Sequence, residues 1–153
     1  MSEITIINYE RKYQPDFKRL NMEWLEKYNL LESHDLEIMD DPDGSVIDRG
    51  GCIFLVMDGD KVIATAGLWK ENEKEYELIK MYVLNDYRGR GISKLLMDRC
   101  LGEARKRDAE KIFLFSNSQL KTALELYKKY GFHHVDVTDA PFVTADVKME
   151  LSL

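Results

Sequence analysis

The sequence predicts a mixed α/β protein in which helices flank one central sheet, mostly antiparallel with a single parallel strand pair. Three observations predict it. The apolar period switches between helical and strand-like along the chain. The run "CIFLVMDGDKVIATAGLW" is two apolar stretches joined at Asp58–Gly59–Asp60, the pattern of a hairpin. The order strand 76–84, helix, strand 111–115 reads as a βαβ crossover, which makes those two strands parallel. With 153 residues, no internal repeat and no linker-like stretch, the chain is read as one domain, 1–153.

The elements follow in order. A short β-like start holds Ile4 and Ile6. From about Pro15, which suits a first helical turn, Phe17, Leu20, Met22, Trp24, Leu25 and Tyr28 form a helical stripe. An acidic piece, "ESHDLEIMDDPDG", ends in the turn signal Pro42–Gly44. The hairpin follows, then "YELIKMYVL" as a third strand. Ile92, Leu95, Leu96, Cys100 and Ala104 mark a helix that runs out in "RKRD", and "KIFLF" is a buried strand. Leu120, Ala123, Leu124, Tyr127 and Tyr130 stripe the last helix, closed by Gly131 in a left-handed cap. Two strands, near 133–137 and 142–151, complete the chain.

Composition narrows the function classes. A net charge of −6 weighs against nucleic acid as a partner, because phosphate contacts need a basic face. The start, "MSEITIINYE", has neither a basic n-region nor a long apolar stretch, so neither a signal peptide nor a membrane span is expected, and the expected location is cytoplasmic. Cys52 and Cys100 lack the paired spacing of a metal or redox motif and read as buried free thiols; no metal is expected.

The stretch "YRGRGISKLL" at 87–96 stands out against that acidic background. Gly89 and Gly91 let successive amides turn toward one point, a helix starting near Gly91 leaves its first N–H groups unpaired, and Arg88 and Arg90 add fixed positive charge. These are the parts of a phosphate or pyrophosphate cradle. A nucleoside-triphosphate loop needs GxxxxGK[ST], which is absent; a dinucleotide fingerprint needs a third glycine where Lys94 stands. On spacing alone, a glycine-rich turn with solvated arginines remains the alternative.

The segment "ELIKMYVLNDYRGRGISKLL" resembles the core of the GNAT superfamily of N-acetyltransferases, whose acetyl-CoA loop follows [Q/R]-x-x-G-x-[G/A]. Arg88, Gly91 and Ser93 take the three defined places, Ser93 departing from the usual Gly or Ala. "ALELYKKYGF" at 123–132 is similar to the family's second cofactor-contacting helix and its Gly-Phe ending, and the resemblance covers 51–153. It implies a GNAT-like acyltransferase fold whose parallel strand pair splays open, with acetyl-CoA as cosubstrate. The N-terminal helices match only in kind, as the variable acceptor-binding segment.

What the resemblance implies chemically is direct attack of a primary amine on the thioester carbon of acetyl-CoA. Glu77, on the strand that feeds the loop and four residues before Met81, is the implied base; a solvent-facing glutamate paired with a lysine is its structural alternative. Tyr127 is the implied acid toward the leaving thiolate, with plain core packing as its alternative. The Met81 amide is the implied oxyanion donor and the Val83 amide serves the pantetheine arm. With Tyr82 between them, and with Arg88, Gly89, Arg90, Gly91, Ile92 and Ser93, they make up the expected cofactor site. Asn117 is expected either to bond the pantetheine arm or to cap the next helix.

Several other residues carry less. His133, His134 and His34 read as structural or surface residues. Trp24, Tyr28, Trp69 and Phe142 can line an acceptor pocket or belong to the core. The acidic run Glu32, Asp35, Glu37, Asp40, Asp41 can attract a cationic acceptor or be a solvated helix face. The leading expectation is an acetyl-CoA-dependent N-acetyltransferase of a small primary amine, pairing as a homodimer through its C-terminal strands. The alternatives are a lysine or N-terminal protein acetyltransferase and a non-catalytic acyl-CoA sensor.

Overall fold

The computed structural model describes residues 3–153. Seven strands form one sheet: β1 (Ile4–Asn8), β2 (Cys52–Asp58), β3 (Lys61–Lys70), β4 (Glu75–Val83), β5 (Lys111–Ser116), β6 (His133–Val135) and β7 (Val147–Ser152). Their spatial order is β1-β2-β3-β4-β5-β7-β6, and β4–β5 is the parallel pair while the other neighbours run antiparallel. Helices α1 (Gln14–Lys27) and α2 (Ser33–Asp40) cover one face; α3 (Ile92–Lys106) and α4 (Lys121–Lys129) cover the other. The mixed sheet predicted from the period changes is the sheet observed.

Each helix face follows from its apolar spacing. α1 buries Phe17, Leu20 and Leu25 against Ile53, Leu55 and Ile79. α3 buries Ile92, Leu96, Met97, Cys100, Leu101 and Ala104, successive positions one, three or four apart that share one side of a helix. Leu95, predicted in that stripe, stands exposed instead, because Met97 and Leu101 complete the buried side. Gly131, at φ 96°, adopts the left-handed conformation that ends α4, and Phe132 N–H returns to Tyr127 O at 3.1 Å.

Two elements differ from expectation. The turn after Pro42 is one wide helical turn over Asp43–Ile47. Residues 142–146, expected as the start of the last strand, form a loop. The Val143 and Thr144 amides go to the Glu32 carboxylate (2.8 and 2.9 Å), and are thus unavailable to a strand ladder.

The central irregularity lies in β3–β4. Thr65 pairs with Tyr82 and Gly67 with Ile79, so β4 carries one residue more than β3 across this step. Lys80 takes up the excess at φ 52°, a conformation a lysine holds only when its surroundings fix it. Thr65 Oγ1 donates to Lys80 O at 2.7 Å, Asn21 Nδ2 donates to Thr65 Oγ1 at 3.3 Å, and Trp24 Nε1 donates to Asn21 Oδ1 at 3.0 Å. This buried chain ties the bulge to α1.

Candidate active site

The parallel pairing of β4 and β5 holds only at Glu75–Lys111, Tyr76–Ile112 and Glu77–Phe113. Beyond Glu77 the two strands part, while β5 stays paired to β7 up to Ser116. The edge of β4 that faces β5 therefore has no strand partner over Leu78–Val83, and its polar backbone opens into a cleft of about 700 Å³. Met81, Tyr82 and Val83 line that cleft, as do Arg88, Gly89, Gly91, Ile92, Ser93, Asn117 and Tyr127.

At the mouth, α3 begins with Gly91 as its N-cap at φ 78°, preceded by Gly89 at φ 77°. A Cβ built on either glycine meets no protein atom within 4 Å, so what keeps these positions as glycine is the backbone conformation and the open space above them. No side chain caps the helix, which leaves its first N–H groups directed into the cleft. Arg88 donates from Nε to Val83 O (3.3 Å) and lies 5.6 Å from the Tyr82 ring centre, so its charge is held against the site. These residues fit a pyrophosphate: free amides at a helix start, a fixed guanidinium and no Cβ in the way. Arg90 differs. It stacks on Tyr87 at 5.0 Å and does not line the cleft.

Glu77 sits where the strands part and is only 7 % exposed, although its carboxylate makes no hydrogen bond or ion pair among the described residues. Burial pushes its carboxyl up to about 7; the nearby Lys80 ammonium opposes that rise. A carboxyl at that value takes and gives protons at neutral pH, as general-base work requires. The expected alternative, a solvent-facing glutamate paired with lysine, describes Glu75, which pairs with Lys111 at 3.1 Å.

Tyr127 is buried, packs on Phe132 at 5.9 Å and reaches the cleft with a hydroxyl that makes no hydrogen bond among the described residues. Burial raises its pKa, so the hydroxyl keeps its proton at neutral pH. Asn117 lines the cleft with its side chain already engaged: Nδ2 donates to Thr144 O at 2.8 Å and Oδ1 accepts from Gln119 N–H at 3.0 Å. α4 takes Leu120 as its N-cap, so Asn117 shapes the turn ahead of it and does not cap it.

Other features of the site were not expected from the sequence. Lys80 and Asp35 form a buried ion pair in the first cleft, with side chains 4 % and 2 % exposed. Asp35 is thereby removed from the acidic helix face it was assigned to, and its second oxygen accepts the Glu32 N–H at 2.9 Å. Glu32 likewise holds a loop instead of facing solvent: it accepts from Val143 N–H, Thr144 N–H and Thr144 Oγ1. Burial pushes its carboxyl up, but the Thr144 and Val143 hydrogen bonds outweigh burial and hold it below its ordinary value. His34, assigned to structure or surface, stacks between Trp69 (5.6 Å) and Phe142 (5.0 Å) and lines a second cleft; His133 and His134 are exposed. Trp24, Tyr28 and Phe142 line the first cleft and Trp69 the second. Cys52 and Cys100 are free thiols, pushed up by burial, Cys52 to about 11.

The sequence matches the acetyltransferase (GNAT) family over residues 12–132. The chain belongs to that family. Among its relatives is the N-acetylaspartate synthetase of Rattus norvegicus, 32% identical over 91 residues, which cover 59% of this chain and 30% of the relative. The chain spans about a third of the length of the curated relatives it matches first. The GNAT-family acetyltransferase structure from Staphylococcus aureus Mu50 superposes with a TM-score of 0.90 at 21% identity, over 98% of this chain and 99% of that one. A PaiA N-acetyltransferase of Thermoplasma acidophilum, solved in complex with coenzyme A, superposes with a TM-score of 0.77 at 17% identity, covering 99% of both chains. The GNAT fold is thus established for this chain. Among the described residues no helix is long and apolar enough to cross a membrane, and no three His, Cys, Asp or Glu side chains gather as a metal set.

Proposed function

We propose that this protein is an acetyl-CoA-dependent N-acetyltransferase of small primary amines, with Glu77 as general base and Tyr127 as general acid. The observation that carries the reading is Glu77, only 7 % exposed and with no hydrogen bond or ion pair on its carboxyl among the described residues, standing where β4 and β5 separate, beside a helix start and an arginine suited to a pyrophosphate. Acetyl-CoA supplies the activated acyl group. The amides of Gly91, Ile92 and Ser93 with Arg88 hold its pyrophosphate, and the unpaired edge of β4 at Met81 and Val83 receives the pantetheine arm and the thioester oxygen.

The residues then divide the proton work. An amine arrives as ammonium, and Glu77 takes one proton from it. The neutral nitrogen attacks the thioester carbon, so a C–N bond forms as the C–S bond breaks. The departing sulfur takes a proton from the Tyr127 hydroxyl, which stays protonated until that moment because its site is apolar; the second proton shed by the acylated nitrogen restores the phenol, and Glu77 releases its proton to solvent. Pairing as a homodimer is kept as part of this reading, since β6 is a three-residue strand at the sheet edge with one side unpaired within the chain. A cytoplasmic location is kept with it.

The deciding experiment is calorimetric titration with acetyl-CoA of the wild type and of Gly91→Asp, which sets a carboxylate at the helix start. Binding by the wild type and its loss in the folded variant support the cradle. A folded wild type that does not bind acetyl-CoA overturns the reading.

A further inference from the structure

The first cleft has a neighbour. A second cleft, of about 360 Å³, opens on the other side of Glu77 and shares only Glu77 and Phe115 with the first. It contains none of the cradle residues. Glu77 thus lines both the cleft that fits the cofactor and a neighbour that holds none of its cradle. The Glu77 carboxylate makes no hydrogen bond or ion pair among the described residues, and the Lys80 and Lys148 ammonium groups act on it only through space.

The chemistry of the second cleft is lopsided. Glu71, Glu75, Asp139 and Glu150 join Glu77 as carboxylates, against the two ammonium groups of Lys111 and Lys148. Lys111 is spent on Glu75 (3.1 Å) and Glu150 (3.2 Å). Lys148 lies over the Phe113 and Phe115 rings at 5.3 and 5.4 Å. Glu71 and Asp139 hold no ion pair among the described residues. A negative excess thus remains at the outer part of a cleft whose inner end is Glu77, and Trp69 offers an aromatic face between.

We propose that the second cleft is the acceptor site and that it selects a compact amine bearing a second positive charge, such as a short alkyl diamine. One nitrogen reaches Glu77 while the other stays an ammonium held by Glu71 and Asp139. The step balances as follows: the inner ammonium gives one proton to the Glu77 carboxylate, its nitrogen bonds to the acetyl carbon, and the C–S bond breaks. The thiolate is protonated, the remaining N–H proton of the new amide's precursor is shed, and the net products are the monoacetylated amine, free thiol and one proton. An acceptor ending in a carboxylate meets Glu71 and Asp139 with the wrong sign and is disfavoured.

This inference rests on the acetyltransferase reading, and its test separates the two. Three acceptors of one backbone length are compared by thiol release with acetyl-CoA: 1,4-diaminobutane, n-butylamine and 4-aminobutyrate. The expected order of kcat/KM is diamine, monoamine, amino acid, with at least about tenfold between the first and last. The double variant Glu71→Gln/Asp139→Asn is expected to raise KM for the diamine about tenfold and to leave n-butylamine unchanged. Calorimetric binding of 1,4-diaminobutane to the protein is expected to weaken in the same variant, a readout independent of turnover. If acetyl-CoA binds but 4-aminobutyrate is preferred, or the diamine shows neither binding nor turnover, the charge-selection proposal falls alone. Equal losses for all three amines in the double variant also overturn it. If acetyl-CoA itself does not bind, both readings fall.

Discussion

The Lys80 ammonium and the Asp35 carboxylate, 45 residues apart, meet as a buried ion pair that fastens α2 to the bulge of β4. The bulge makes the pairing possible. In a regular strand Lys80 alternates with Glu77 and Ile79 and faces α3; the extra residue turns it to the α2 side. Burying two charges costs desolvation, and removing one partner leaves the other uncompensated. Asp35→Ala is expected to lose about 3–5 kcal/mol of stability, and Asp35→Leu/Lys80→Met to recover most of it, by urea unfolding at pH 7. A loss below about 1 kcal/mol for Asp35→Ala means that the charge reaches water.

In the proposed reaction Glu77 sets the pH dependence. Its carboxyl must be ionised to accept a proton, so kcat/KM is expected to rise with pH and level off above about 7. Glu77→Gln is expected to lower kcat about 10²–10⁴-fold and to remove that limb. A pH–rate profile of both proteins checks this; an unchanged limb in the variant assigns it to another group.

The same carboxyl affects stability with the opposite sign. Its folded pKa lies above the unfolded value near 4.5, so its contribution is intact below about 4.5 and lost as pH rises through about 7. Glu77→Gln removes that penalty. The variant is expected to be more stable than wild type at pH 8, by up to about 3 kcal/mol, with little difference at pH 4.5. Thermal unfolding at the two pH values reads the difference directly.

Tyr127 separates catalysis from packing. Its hydroxyl makes no hydrogen bond among the described residues, so Tyr127→Phe keeps the ring against Phe132 and is expected to change stability by less than about 1 kcal/mol. If the hydroxyl protonates the leaving sulfur, kcat falls about 10²-fold while acetyl-CoA affinity stays constant. Unchanged kcat makes Tyr127 a core residue.

Glu32 ties the 142–144 loop to the start of α2. With its carboxyl held below the ordinary value by the Thr144 and Val143 hydrogen bonds, the tie is complete above about 4.5 and is lost as pH falls below it. Glu32→Ala is expected to speed amide exchange at Val143 and Thr144 at neutral pH, and to raise KM for the amine more than for acetyl-CoA, because Phe142 on that loop packs on His34 of the second cleft and Asp139 and Pro141 just before it line that cleft. Hydrogen exchange by mass spectrometry checks the first effect.

Much of this site is legible in the sequence because its chemistry is local. Gly89, Gly91 and Arg88 lie within four positions, and the conformation they need is written in their residue types. Glu77 is legible only through the family resemblance, because the lysine-rich stretch around it reads equally as a solvent-facing ion pair. The Lys80–Asp35 pair is not legible, because a one-residue excess in β4 reverses the face on which every later side chain falls. Nor is the 142–146 loop, whose backbone donors are satisfied by Glu32 more than a hundred residues earlier. His34 reads in the sequence only as a structural or surface residue for a similar reason: Trp69 and Phe142, which make it part of a cleft wall, come from distant segments.

The partition of the two clefts at Glu77 and Phe115 has a consequence for traffic. Under the proposed assignment, cargo and recipient enter by separate doors, so neither blocks the other's way in or out. In that arrangement coenzyme A remaining in its channel would compete with fresh acetyl-CoA and leave the opposite door clear, and the acetylated amine would depart without waiting for it. Such a molecule works as a counter served from both sides, with a single carboxylate as the hatch between them.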